Sequence, residues 1–173
     1  MPYTKQASKQ FYVICQNIRS LFNVGAIFRT ADAFGADKIF LTGITGRPPR
    51  KEISKVALGA ENYIPWEYHR QPARLIKELK KQGIKIVALE QAPGKSKNLN
   101  KWQVKFPLAL ILGYEPKGLP KALLALADEI VEIPMHGKKE SLNVAVAFGI
   151  AANYIAENRT ASTKKIRQKT KRR

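Results

Sequence analysis

The sequence predicts an α/β domain, a mostly parallel sheet with helices on both faces. Short apolar runs alternate with longer stretches of helical periodicity. Each strand-like run is bounded by turn signals. Two of the runs end in Gly/Pro-rich or polar loops followed by a helix, and in such sheets ligands bind at the carboxyl ends of strands.

Taken in order, strands are expected at Phe11–Gln16, Lys38–Thr42, Ile84–Leu89, Leu108–Leu112 and Glu129–Ile133. Asn62 to His69 is a weaker sixth, because Pro65 cannot donate to a ladder. Asn23 to Phe34 puts Val24, Ile27, Phe28 and Ala31 on one helical face, with Asn23 as N-cap and Gly35 as the stop. Pro72 opens a second helix that ends at Gly83. Pro120 opens a third, P-K-A-L-L-A-L-A, and Asn143 to Asn158 is the last, capped by the Ser141 hydroxyl. Gly43 to Lys51 is a basic Gly/Pro loop and should be exposed. Residues 1–157 read as one domain, and 158–173 as a basic, disordered tail.

Composition narrows the function. The chain has 173 residues and a formal charge of +18, from 31 Lys+Arg against 13 Asp+Glu. Eight of those cations follow Glu157 with no acid among them, which leaves +10 on the first 157 residues. Body and tail are both basic, so a polyanion such as RNA is favoured as partner. The tail offers Ile166 as its one large apolar residue, too little for a membrane-binding face. No run is long and apolar enough to span a bilayer, and the N-terminal residues lack a signal-peptide core, so a cytoplasmic protein is expected. Cys15, the single cysteine, reads as a buried inert thiol, and with two histidines it makes no recognisable metal site.

Several chemistries lack their motifs. There is no G-x-G-x-x-G after the first strand, no G-K-[ST] and no G-x-S-x-G. What remains are two loops and one polar helix. The run L-A-L-I-L-G-Y-E-P-K-G-L-P ends a strand at Leu112 and brackets Glu115 with Gly113 and Gly118. A strand-to-helix turn accounts for Gly118 and Pro120 but not for the acid. The run I-P-M-H-G-K-K-E-S-L-N ends a strand at Ile133 and leads through Met135 and His136 to Ser141, Leu142 and Asn143. His136 reads as a solvated loop histidine. In N-V-G-A-I-F-R-T-A-D-A-F-G, Arg29 stands off the apolar face, where it could simply pair with Asp32.

These three segments, in this order from about Phe11 to Glu157, resemble the SpoU/TrmH family of SPOUT-class RNA methyltransferases. The resemblance implies a C-terminal deep trefoil knot, which periodicity could not suggest, and a homodimer with active sites near the subunit interface. It implies S-adenosyl-L-methionine as cofactor, held at the positions of Leu89, Gly113, Ile133, Met135 and Leu142. It implies a catalytic set of Arg29, Asn23, Glu115, Ser141 and Asn143, and no metal. The implied reaction is methylation of a ribose 2′-hydroxyl. Arg29 either takes the hydroxyl proton or clamps the neighbouring phosphate and stabilises the developing alkoxide; a guanidinium stays protonated well above neutral pH, which resists the first role. The short stretch before the first motif and the basic C-terminal extension look closer to tRNA-modifying members, so tRNA is expected over rRNA. A non-catalytic RNA-binding protein that kept the fold is the rival reading, and base methylation a second. The intact catalytic set argues against the first rival.

Overall fold

The computed structural model describes residues 9–114 and 117–170, with side chains described as far as residue 160. Among these residues the chain forms one seven-stranded sheet in the order β3-β2-β1-β6-β4-β7-β5. The strands are β1 (Phe11–Gln16), β2 (Lys38–Thr42), β3 (Trp66–His69), β4 (Lys85–Leu89), β5 (Lys97–Asn98), β6 (Leu108–Leu112) and β7 (Glu129–Glu132). Every neighbouring pair is parallel. The carboxyl ends of all strands therefore lie along one edge of the sheet.

The central strands are buried on both faces, and alternate side chains feed two cores. Val13, Cys15, Leu108, Leu110 and Leu112 pack under helices α1 (Leu21–Ala33), α2 (Lys51–Ala57), α3 (Ala60–Tyr63) and α6 (Val144–Thr170). Ile14, Ile86, Ala88, Ala109 and Ile111 pack under α4 (Pro72–Lys81) and α5 (Lys121–Leu124). In α4, Leu75, Ile76 and Leu79 form the buried stripe, each contributing about 1.5–3 kcal/mol by leaving water. Cys15 is wholly buried, and desolvation pushes its thiol up to about 12, so it stays protonated and inert.

Several local expectations change. The hydroxyl of Ser20, not Asn23, caps α1, because Ser20 lies three residues before the Asn23 N–H it accepts. Ser141 does not cap α6. Asn143 does, through its Oδ1, which accepts from the N–H groups of Ala145 and Val146. The Gly43–Lys51 loop is not wholly exposed. Thr45 is buried, accepts the Ile18 N–H and donates to the Cys15 carbonyl. Helices α2 and α3 were not predicted, although Ile53, Ala57, Ala60 and Ile64 recur at helical spacing. Leu58 and Gly59, both at positive φ, break them apart.

The expected tail is also different. The backbone of α6 continues past Glu157 to Thr170, since no Gly or Pro follows and Ala, Lys, Arg and Gln are good helix formers. Arg159 belongs to the folded body. It donates to the Gly35 carbonyl and pairs with Asp37 at 2.9 Å, while the Asp37 carboxylate accepts the Phe11 N–H that opens β1.

Candidate active site

Three strand ends and one helix start converge on a cavity of about 460 Å³. Leu89, Glu90 and Gln91 come from the end of β4, Leu112, Gly113 and Tyr114 from the end of β6, and Glu132, Ile133 and Met135 from the end of β7. Ser141, Leu142, Asn143, Val144 and Ala147 close it from the start of α6. In the sheet order β6, β4 and β7 are adjacent, so residues far apart in sequence meet at one edge.

All five positions expected to hold cofactor, Leu89, Gly113, Ile133, Met135 and Leu142, line this one cavity. Gly113 is required by space. A Cβ there would stand 2.8 Å from the Leu119 nitrogen and 2.9 Å from the Gly118 carbonyl carbon, both backbone atoms. Gly118 and Leu119 thus pack directly against Gly113.

Sequence reasoning missed the residues that order these loops. Glu90 accepts the Leu119 N–H at 2.9 Å, and Gly118, at φ +64°, leaves room for that carboxylate. Gln91 donates to the Glu140 carbonyl at 2.6 Å and so ties the β4 end to the loop before α6. Their position directly after Leu89 was the available signal. Glu132 and Glu140 also line the cavity. A chain of charge +18 thus places three acidic residues, Glu90, Glu132 and Glu140, around an apolar floor of Leu89, Leu112, Ile133 and Leu142; the Glu90 carboxylate accepts from the Leu119 N–H and that of Glu132 from the Ser96 hydroxyl. Such a site suits a ligand with a flat apolar part and positive charge, and its volume lies in the range of small-molecule sites.

The expected catalytic residues are brought together in part. Ser141 and Asn143 line the cavity. The Asn143 amide donates to Asn23 Oδ1 at 3.1 Å, linking the start of α6 to the first turn of α1. Thr30 faces Gly149 further along, so the two helices run side by side in the same direction. Arg29 does not line the cavity. It lies six residues beyond Asn23, about 9 Å farther along the α1 axis from the cavity end. It is exposed, and no ion pair joins it to Asp32 among the described residues. Glu115 lies outside the described residues. His136 is exposed, as a solvated loop histidine should be. Among the described residues no cluster of three His, Cys, Asp or Glu side chains could hold a metal ion, and no helix is long and apolar enough to cross a membrane.

Over 140 residues, 81% of this chain, the sequence is 35% identical to the 23S rRNA (guanosine-2′-O-)-methyltransferase RlmB of Shewanella oneidensis. The solved structure of an AdoMet-bound rRNA methyltransferase from Sinorhizobium meliloti superposes with a TM-score of 0.80 at 31% identity, covering 86% of this chain and 56% of that one. The TrmH/SpoU tRNA modifying enzyme of A. aeolicus superposes with a TM-score of 0.82 at 28% identity, covering 90% and 78%. These names do not support the expected preference for tRNA, since the Shewanella relative is named for 23S rRNA and the A. aeolicus neighbour for tRNA. The chain spans about half the length of the curated relatives it matches, 56% in the Shewanella case. Residues 10–153 match the model of the SpoU rRNA Methylase family, so five-sixths of the chain falls within it and the chain belongs to that family.

Proposed function

We propose that this chain is an S-adenosylmethionine-dependent methyltransferase acting on a ribose 2′-hydroxyl of RNA. The carrying observation is the cavity at the β4, β6 and β7 ends, where the five expected cofactor positions meet. When bound, S-adenosylmethionine would supply an electrophilic methyl group for the ribose 2′-oxygen, and this chain's residues would hold it and orient the RNA. Leu89, Leu112, Ile133 and Leu142 give the adenine an apolar slot, and the carboxylates of Glu90, Glu132 and Glu140 match the positive sulfonium and ammonium groups. Gly113 lets the backbone approach closely. Asn143 and Asn23, bonded to each other, fix the α6 start against α1. Arg29 serves as a cation that holds the phosphate beside the target ribose and stabilises the developing alkoxide.

The same proposal includes a homodimer. Phe22, Val146 and Ile150 are 51%, 53% and 42% exposed, and they lie on the two helices, α1 and α6, that pack together. Phe22 and Arg29 are seven residues apart and share one stripe of α1. A partner seated on that face would cover the apolar residues and receive Arg29 at its own cavity, which accounts for the distance of Arg29 from the cavity of its own chain. The C-terminal trefoil knot also belongs to this reading, supported by the order β6-β4-β7.

Mixed dimers test it. Arg29→Ala and Gly113→Val homodimers are each expected to be inactive. A mixture of the two should regain activity, because one site in the heterodimer combines an intact cavity with an intact partner arginine. No recovery after subunit exchange would place Arg29 with its own cavity. Mass spectrometry of digested RNA, after reaction with labelled cofactor, identifies the nucleotide and whether the ribose carries the methyl. Label on a base would exclude the 2′-O reading.

A further inference from the structure

Resting on the reading of this chain as an RNA methyltransferase, we propose that the other half of the sheet edge is a stacking track for single-stranded RNA. Two cation–ring pairs frame it. The Arg19 guanidinium lies 4.6 Å from the centre of the Tyr114 ring, and the Arg47 guanidinium 4.2 Å from the centre of the Tyr68 ring. Tyr114 also lines the cofactor cavity, so the first pair adjoins the reaction site.

The strand register sets the course between the pairs. Tyr68 of β3 lies beside Leu41 of β2, Leu41 beside Cys15 of β1, and Cys15 beside Leu112 of β6, two residues before Tyr114. Three strand steps of about 4.8 Å separate the pairs by roughly 14 Å. That is about four nucleotides at the ~3.4 Å rise of a stacked strand, and fewer if bases are splayed. Ile44, 62% exposed and two residues past the end of β2, offers an apolar surface between them. The track runs outward from the cavity, one flat or apolar group per strand end.

The backbone beneath is held before any RNA arrives. Tyr68 donates its hydroxyl to the Gly43 carbonyl at 2.8 Å. The Ile44 N–H is received by Asn17 Oδ1 at 3.0 Å, and Thr45 is anchored to the loop after β1. Arg19 and Arg47 form no ion pair among the described residues, and both are exposed. A guanidinium laid on a ring keeps its opposite face free for a base and its in-plane N–H groups free for a phosphate. The remaining cations of this edge, Arg50, Lys51, Arg70 and Arg74, add phosphate attraction; Glu52 lies near Arg50 and Glu78 pairs with Arg74. Unpaired nucleotides flanking the target, rather than duplex, are what such a surface recognises.

The test uses the full chain, a fluorescein-labelled single-stranded RNA of mixed sequence, and its duplex with the complementary strand. Fluorescence anisotropy gives affinity at several salt concentrations. Arg47→Ala and Arg19→Ala are each expected to weaken single-strand binding on the order of tenfold while changing duplex binding much less. Arg47→Lys keeps a charge but not the plane and should stay close to the alanine variant. Thermal midpoints of the arginine variants equal to that of the wild type guard against reading a folding defect as a lost contact. Wild-type affinity in Arg47→Lys, or equal losses on single strand and duplex, would overturn the track and leave only charge. S-adenosylmethionine calorimetry on the same variants separates the two proposals. Normal cofactor binding with unchanged RNA binding defeats the track alone, and absent cofactor binding by the wild type defeats the methyltransferase reading.

Discussion

The two halves of the carboxyl edge are built for opposite tasks. At β4, β6 and β7 the loops fold over each other and enclose an apolar cavity ringed by Glu90, Glu132 and Glu140. At β1, β2 and β3 the edge is open and cationic, with the Arg47 guanidinium over the Tyr68 ring and that of Arg19 over Tyr114 at the border with the cavity. On the proposed reading, one sheet would serve a small ligand carrying positive charge at one half and a polyanion at the other. The contrast teaches that net charge says little about a site: in a chain of +18 the cavity proposed for the cofactor has three acidic residues in its lining.

Substitutions can sharpen that division. The largest effect is expected from Arg29→Ala, which should lower methyl transfer by about 100- to 1000-fold and leave cofactor affinity nearly unchanged, because Arg29 lies outside its own chain's cavity and, in the proposed dimer, meets the RNA phosphate rather than the cofactor. Rates and calorimetry on one preparation check both parts. Gly113→Ala should do the reverse. Its Cβ meets backbone atoms at 2.8 and 2.9 Å, so the loop must shift, and cofactor binding should weaken about tenfold or more. RNA affinity in that variant should hold, and a matching loss would mean that the two halves are not independent.

Asn143→Ala is expected to have a smaller effect on stability, about 1 kcal/mol from the lost α6 cap. It also cuts the bond to Asn23, so activity should fall further than stability does. Asn143→Asp keeps the cap oxygen and should restore the thermal midpoint without restoring that amide donor.

The smallest effect concerns acid. Burial opposes ionisation of Asp128, but hydrogen bonds from the Ile86 N–H and from Lys80 outweigh it and hold its carboxyl below the usual range. A depressed folded value means stability that is present above the unfolded value near 4 and is lost as pH falls through the folded one. Asp128 anchors β4 and not the β1–β3 half. Hydrogen exchange below about pH 4 should therefore loosen the α4–β4 region, and the β2–β3 pair with it, because Lys38 and His69 hold the Glu67 carboxyl low in the same way; undiminished protection of α4–β4 there would contradict this.

Much of this was legible in the sequence, for identifiable reasons. Five strands were found because each is a short apolar run, and β4, β6 and β7 gave the cavity because loops at strand ends are where such sheets bind ligands. Three kinds of feature were not legible. β5 has two residues, too few for any period. The caps fell on Ser20 and Asn143 because several polar residues stood near each helix start and only geometry selects among them. Glu90 and Gln91 act through loops 29 and 49 residues away, which no local pattern encodes. The helical backbone of α6 to Thr170 follows helix propensity, which the basic composition of that segment masks in the sequence.

The central claim is that the cavity between β4, β6, β7 and α6 holds S-adenosylmethionine without help from the cationic half. Isothermal titration of the cofactor into the folded wild-type chain, beside Gly113→Ala and Arg47→Ala, tests it most directly. One ligand per chain is predicted for the wild type and for Arg47→Ala with equal affinity, and at least tenfold weaker binding for Gly113→Ala. No heat from the folded wild type at about millimolar cofactor, an affinity near −4 kcal/mol or weaker, would contradict the account.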